Sequence, residues 1–466
     1  MRKHLCIIQL LFVIIIFSCG TLHARTMYVS SNGSDFNDGT MMMPLKSLDL
    51  AVAKADTILL KAGDVFYGYY KLSRQYLGRY GSGPNPVIRG YKRIKYSNWE
   101  KVSNNIWRIN LAQDNYTGVI TGSSILNNIG CIHEYDKDLI HGRKVQYMHE
   151  MKQNWDIWQA EEYSKDMDPS LLDECYLYLD MDPNELFLEF AIGECAISMR
   201  YSTIENVNFE GFGFGISVVL GDSVVRGCKI DAIGGMALLT AREFVLHGNG
   251  ICLYFGDYSV KNCIIEGNFI SRCYDCGLCL YGTGNKGSNG IDIVFRDNLV
   301  TQCCQGIENS SKSTITRYIN CIAENNFFVS NGTSGFGYPG ARFKHSQILE
   351  NNVNGPKGFH YTNNLFVDGN FYCAATYEQD NFFSSIFDNN ICYLSPEQFL
   401  IGDYYGKKTV LRIDNKLFRG SVNSNRVARY RAMTKDLDTK FVIVNKRHNR
   451  KIGKQTIAKY LKNHSY

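Results

Sequence analysis

The chain has 466 residues, 50 Lys and Arg against 45 Asp and Glu, and a formal net charge of +5. That length exceeds one ordinary core of roughly 150 residues, which excludes a single compact core and leaves several domains or one elongated solenoid. The charge is uneven: residues 404–466 hold 17 Lys and Arg against 3 Asp, so the body is acidic and the tail basic. A basic tail suits an anionic polysaccharide or membrane surface, or is simply a solvated face; no nucleic-acid partner is expected.

Residues 1–24 read as a secretory signal. Met1-Arg2-Lys3-His4 is a basic start, Leu5 to Phe17 is almost unbroken apolar chain, and small residues follow at Ser18, Cys19 and Gly20. The apolar run is short of the roughly 20 residues that span a bilayer. Two processing routes are open, cleavage after Ala24 or lipidation of Cys19. The second is the one expected route to a membrane; otherwise the protein is exported to the periplasm, cell surface or medium.

Residues 25–125 are expected to hold an N-terminal cap, with a short helical stretch ending near Ala55, and the first coils of the solenoid. Residues 126–200 break the pattern with Trp155, Trp158, several Tyr and the acidic run Glu161-Glu162 to Asp168, and are expected to form an inserted β-rich subdomain.

Over 201–400 the pattern is periodic. An Asn flanked by apolar residues recurs as Ile265 to Ile270 around Asn268, Phe295 to Val300 around Asn298, and Ala323 to Phe328 around Asn326. It returns at Leu349-Glu-Asn-Asn352, Tyr361 to Phe366 around Asn364, and Phe387 to Cys392 around Asn390. Steps of 26 to 30 residues, with short β-branched and aromatic runs between Gly, Asn and Asp turns, mean stacked β-coils. Coils about 4.8 Å apart bring equivalent Asn side chains within bonding distance, so a ladder through Asn268, Asn298, Asn326, Asn352, Asn364 and Asn390 is expected. Beyond Asp403 the repeat fades; 401–466 is expected to be a basic C-terminal cap, with Lys454 to Leu461 a helix over the last coil.

Sixteen cysteines in an exported chain would ordinarily mean disulfides. The coil frame instead stacks Cys263 over Ile293 and Cys321, and Cys273 over Cys303. In-register strands hold Cβ vectors nearly parallel, which suits disulfide geometry badly, so packed thiols are expected. Cys273-x-x-Cys276-x-x-Cys279 with Cys303 and Cys304 also invites a zinc or iron–sulfur reading, the weaker of the two because stacking already accounts for Cys273 and Cys303.

Tyr28-Val-Ser-Ser-Asn-Gly-Ser-Asp-Phe-Asn-Asp-Gly-Thr40, Pro44-Leu-Lys-Ser-Leu48 and Asp56-Thr-Ile-Leu-Leu-Lys-Ala-Gly-Asp-Val-Phe66 resemble the N-terminal segment of bacterial pectate-lyase-like polysaccharide lyases and glycosidases. With the coils of 201–400 the resemblance covers about half of the mature chain. It implies an all-β right-handed parallel β-helix with a helical cap, a polysaccharide or oligosaccharide partner, and a substrate cleft along the sheet that follows the looser turn. That sheet begins at Gly250, Gly277 and Gly306. Alternation then sends Cys252, Cys279 and Glu308 outward in one row and Tyr254, Tyr281 and Ser310 in the next.

Tyr254 and Tyr281 offer flat apolar faces to pyranose rings, and packing beneath a loop is the bland alternative. For a hydrolase, which is slightly favoured, Glu308 and Asp275 are the candidate carboxylate pair, with Asp257 in reserve; Asp275 fits a turn former equally well. A lyase needs cations and a base near a uronate, for which Arg242, His247 and Lys261 are candidates, with Arg272 and Arg296 as substrate-binding charges. A non-catalytic carbohydrate binder or surface protein remains the reading from another class. No cofactor is expected, because the coils show no cluster of Asp for Ca²⁺.

Overall fold

The computed structural model describes residues 24–93, 98–110, 129–145, 148–159, 174–192, 195–234, 236–239, 244–282, 287–311, 313, 315–332, 346–352, 358–369, 371–375, 385–395, 399–403, 438–464 and 466. The secretory segment and Cys19 therefore lie outside the described residues.

Three long parallel sheets of eleven, ten and nine strands run the length of the molecule. Each coil contributes one strand to each. A representative coil passes from Val260–Glu266 in the first sheet to Phe269–Cys273 in the second and Cys276–Gly282 in the third. The next coil repeats the path at Gly290–Arg296, Leu299–Thr301 and Gln305–Ser311. Parallel strands joined by crossovers take the right-handed path, so the molecule is a right-handed parallel β-helix.

The turn from first to second sheet shows why Asn recurs. The residue before each ladder Asn takes φ between 51° and 61°, and it is Gly267, Asp297, Asn325, Asn363 or Asn389, types that tolerate the left-handed region. The following Asn turns inward and bonds up the stack, Asn268 Nδ2 to Asn298 Oδ1 at 2.9 Å and Asn298 Nδ2 to Asn326 Oδ1 at 2.9 Å. Asn326 Nδ2 then donates directly to Asn364 Oδ1 at 3.0 Å and Asn364 Nδ2 to Asn390 Oδ1 at 3.0 Å. Asn352 is not a rung: it ends the third-sheet strand Ile348–Asn352. That coil is 38 residues long, because extra chain separates Phe327–Val329 from Ile348–Asn352, and an Asn-rich strand end imitated the turn motif.

Inward glycines sit at the start of the third-sheet strands, Gly250 just ahead of Ile251–Phe255 and Gly277 and Gly306 second in theirs, not first as the sequence suggests. A Cβ on Gly277 would lie 2.2 Å from Val300 Cγ1, and one on Gly250 or Gly306 would meet Ile270 Cγ2 at 2.7 Å or Phe328 Cδ1 at 2.8 Å. Only glycine lets the corner pass that close to the second sheet.

Helix α1 (Leu48–Lys54) is capped by Ser47 Oγ, which accepts from Leu50 N at 3.3 Å. It packs against the first strands of the first and third sheets, burying Leu48 and Ala51. Antiparallel pairing begins at Tyr91–Arg93, ahead of residue 126, and the described residues from there to Leu188–Ile192 build two sheets, antiparallel except where Arg143–Lys144 pairs parallel with Asp156–Gln159. Their apolar sides meet in a core of Trp99, Trp107, Ile132, Ile157, Leu177 and Phe190. One of them docks on the second sheet, with Cys131 and Ala191 against Ala232. Arg89 clamps the joint by pairing with Glu210 on the coil and with Asp138 at 2.7 Å.

Helix α2 (Lys446–Asn463) does not close the last coil. It runs back along the outer face of the second sheet: Asn449 Nδ2 donates to Tyr393 O at 3.3 Å, and Tyr460 Oη reaches Asn268 O at 3.1 Å and Asp297 O at 2.8 Å. Its apolar stripe, Ile452, Ile457 and Tyr460, packs on Leu299, Val329 and Val367. Eighteen residues at 1.5 Å per residue reach about 27 Å, enough to cross five coils 4.8 Å apart, and that face has the apolar row to receive them. No helix among the described residues is long and apolar enough to cross a membrane.

Candidate functional site

The outer face of the third sheet carries the rows expected from the coil frame. Cys252, Cys279 and Glu308 stand in register on successive strands, as do Tyr254, Tyr281 and Ser310. Tyr254 and Tyr281 are stacked, with centroids 5.9 Å apart and planes inclined by 20°, and Tyr254 is 40% exposed. Glu308 is 7% exposed, while Asp275 keeps partial access to solvent.

The corner at Gly277 decides what lies beside Glu308. Gly277 and Leu278 both face the core, so Cys276 and Cys279, three residues apart, fall on the same outer side. Cys276 N donates to Asn249 Oδ1 at 3.1 Å and Cys276 O accepts from Gly250 N at 2.8 Å, which fixes its position from the preceding coil. Its thiol donates to Glu308 Oε2 at 2.8 Å and lies 3.7 Å from Asp275 Oδ1. The two carboxylate oxygens are therefore no more than 6.5 Å apart, the limit set by those two distances. Burial first, and the charge of Glu308 second, hold the Asp275 carboxyl well above the usual carboxylate range. Burial, reinforced by Asp275 and Glu308, likewise keeps the Cys276 thiol protonated.

The remaining candidates are dispersed. Asp257 is exposed and lies in the bend that follows the strand Ile251–Phe255, outside the Glu308 row. Lys261 and Arg296 belong to the first sheet, where Arg296 Nε donates to Glu266 Oε2 at 2.6 Å. Arg272 ends the second-sheet strand and binds Asp231 through two bonds of 2.7 and 2.6 Å. His247 closes a small hairpin strand, Phe244–His247, just before Gly250, and Arg242 lies outside the described residues.

No family profile matches the sequence, and no curated protein matches it. Solved structures do match in shape. A structure of XylC with xylose aligns over 81% of this chain at 13% identity and a TM-score of 0.41, and the match spans 65% of the XylC chain. A GH136 lacto-N-biosidase from Eubacterium ramulus aligns over 90% of this chain and 68% of its own at 13% identity and 0.36. An alginate lyase from Paenibacillus sp. aligns over 81% and 95% at 14% identity and 0.36.

The coil is that of a right-handed parallel β-helix. The three parallel sheets and the Asn ladder carry that assignment. In this β-helix the described cysteines are all free thiols. What the sequence reading missed is that Cys276 also leaves the packed set and joins Cys279 and Glu308. The available signal was the corner glycine between the two cysteines, which breaks the simple alternation that would have put them on opposite faces.

Proposed function

We propose that this β-helix hydrolyses a glycosidic bond of a polysaccharide or oligosaccharide outside the cytoplasm, at the third-sheet face around Asp275 and Glu308. The observation that carries the reading is the pair itself: two carboxyl groups within 6.5 Å, with burial and the charge of Glu308 raising the Asp275 carboxyl well above the usual carboxylate range. Unequal environments separate an acid from an anion, the division of labour that glycoside hydrolysis needs. Asp275 donates its proton to the leaving oxygen. Glu308, which accepts the Cys276 thiol, presents a carboxylate to the anomeric carbon. Retaining enzymes hold the pair about 5–5.5 Å apart and inverting ones about 6.5–9.5 Å, so this upper limit favours retention through a glycosyl ester on Glu308. Tyr254, exposed beside the row and stacked on Tyr281, supplies a face for a neighbouring sugar.

The test incubates chelator-treated mature protein with a panel of neutral and uronic-acid oligosaccharides and follows the newly formed anomer by NMR. Retention with loss of turnover in folded Glu308→Gln supports the reading. Inversion, an unsaturated uronate product, or full activity of Glu308→Gln overturns it. A protein that binds the panel without turning it over, and loses affinity on Tyr254→Ala and Tyr281→Ala, is instead a carbohydrate binder.

A further inference from the structure

Among the described cysteines, five share one arrangement. Cys228, Cys263, Cys273, Cys303 and Cys321 each aim the thiol at the carbonyl two residues earlier, that of Arg226, Lys261, Ser271, Thr301 and Ile319 respectively. That repeated contact is how a small buried side chain satisfies a weak donor, and it asks for nothing further. Cys276 and Cys279 do otherwise. Cys276 Sγ is 2.8 Å from Glu308 Oε2, and ligand atoms of Cys276, Cys279 and Glu308 all lie within 4.8 Å of one another, on three buried residues.

We infer that Cys276, Cys279 and Glu308 form a binding site for a thiophilic divalent cation, of which Zn²⁺ is the representative. Two thiolates with one carboxylate select a soft or borderline ion over Ca²⁺ or Mg²⁺, whose ligand shells are oxygen. Zinc bonds of about 2.3 Å to sulfur and about 2.0 Å to oxygen put tetrahedral ligands about 3.5–3.8 Å apart, so the three groups meet the ion by side-chain shifts on the order of 1 Å. The site is built on rigid elements. Cys279 and Glu308 are register partners on adjacent strands, and the Cys276 backbone is tied to Asn249 and Gly250. Three protein ligands leave a fourth position, which Asp275, 3.7 Å from Cys276 Sγ and partly open to solvent, can take directly or through water.

Binding deprotonates two thiols, and each proton leaves to solvent, so uptake strengthens as pH rises. The ion takes Glu308 as ligand and so withdraws it from any nucleophilic role.

The test uses no substrate, which keeps its outcome separate from that of the hydrolytic reading. Chelator-treated mature protein is titrated with Co²⁺, then competed with Zn²⁺, while the thiolate-to-cobalt charge-transfer band and the bound metal per chain are measured. One ion per chain with that band is expected. Folded Cys276→Ser and Cys279→Ser should each weaken binding by more than about a hundredfold, a larger loss than outer-shell changes cause. Cys195→Ser, whose thiol bonds to the carbonyls of Ile197 and Gly215, should leave it unchanged. If the serine variants do not fold, alkylation of wild type with and without Zn²⁺ decides, because the metal should protect Cys276 and Cys279. No band from folded wild type, undiminished binding in either serine variant, or protection confined to other cysteines overturns the proposal.

Discussion

Replacing Asp231 by Asn should cost stability that depends on pH in a defined way. Asp231 is 3% exposed. It receives both arms of Arg272, at 2.7 and 2.6 Å, with Ser271 Oγ at 2.8 Å and Lys229 Nζ at 3.1 Å. Burial opposes its ionisation, but Arg272, Lys229 and Ser271 outweigh it and hold the carboxyl at about 2 against its usual 3.8. A depressed carboxylate contributes stability that is present above the unfolded value and lost as pH falls through the folded one. That lowering corresponds to roughly 2 kcal/mol above pH 5, most of which is gone at pH 2. Urea unfolding of wild type and Asp231→Asn at pH 6 and pH 2 should therefore show a stability gap that shrinks by about 2 kcal/mol on acidification. A gap that does not change would refute the account, since a lost packing contact has no reason to titrate. The residue bears on the site as well: Arg272, at φ 51°, opens the turn that leads to Asp275 and Cys276.

Asp275 predicts the opposite sign. Its raised carboxyl stabilises the fold fully below about 3.8 and loses that contribution as pH rises through the elevated folded value, so Asp275→Asn should melt higher than wild type by a margin that grows from pH 4 to pH 8. The same substitution should lower hydrolytic turnover by about 10²- to 10⁴-fold. Gly277→Ala should cost about 1–3 kcal/mol in chemical denaturation through its 2.2 Å collision with Val300, whereas Gly267→Ala, with open space but φ of +61°, should cost about 1–2 kcal/mol. Asn298→Ala strips partners from Ile265 O, Asn268 N and Asn268 Nδ2, all buried, and should cost at least about 3 kcal/mol, measured by the same method.

The coils were legible because stacking imposes one residue type at one place: the turn before each ladder Asn needs φ above zero, and Gly267, Asp297, Asn325, Asn363 and Asn389 record that need in the sequence. The register of Cys252, Cys279 and Glu308 followed from the same frame. Asn352 misled because its coil is longer than its neighbours, and periodicity cannot see where extra chain is inserted. Arg272 and Arg296 misled for another reason. An Arg near a cleft in sequence reads as a substrate ligand until its cross-coil neighbour is known, and here those neighbours are Asp231 and Glu266. The path of α2 was equally hidden, since nothing in a helix's own stripe says whether it covers an end or a face.

The three faces of the coil differ in what their outer rows leave to be done. The second is covered, by an antiparallel sheet near Ala232 and by α2 from Phe269 to Tyr393. The first neutralises itself: Glu205, Arg226, Glu266, Arg296 and Glu324 are successive register partners of alternating charge, so each cation meets an anion above and below. Such exposed pairs contribute little energy individually, but they leave no row of one sign to attract a ligand. On the third face Ser198, Ser217, Cys252, Cys279 and Glu308 succeed one another in register, and the exposed Tyr254 stands one row away. A carboxylate placed there, beside a second carboxyl raised well above the usual carboxylate range, is costly to the fold. That cost recurs at each mismatch between local stability and local chemistry, and this is the face where the two diverge most.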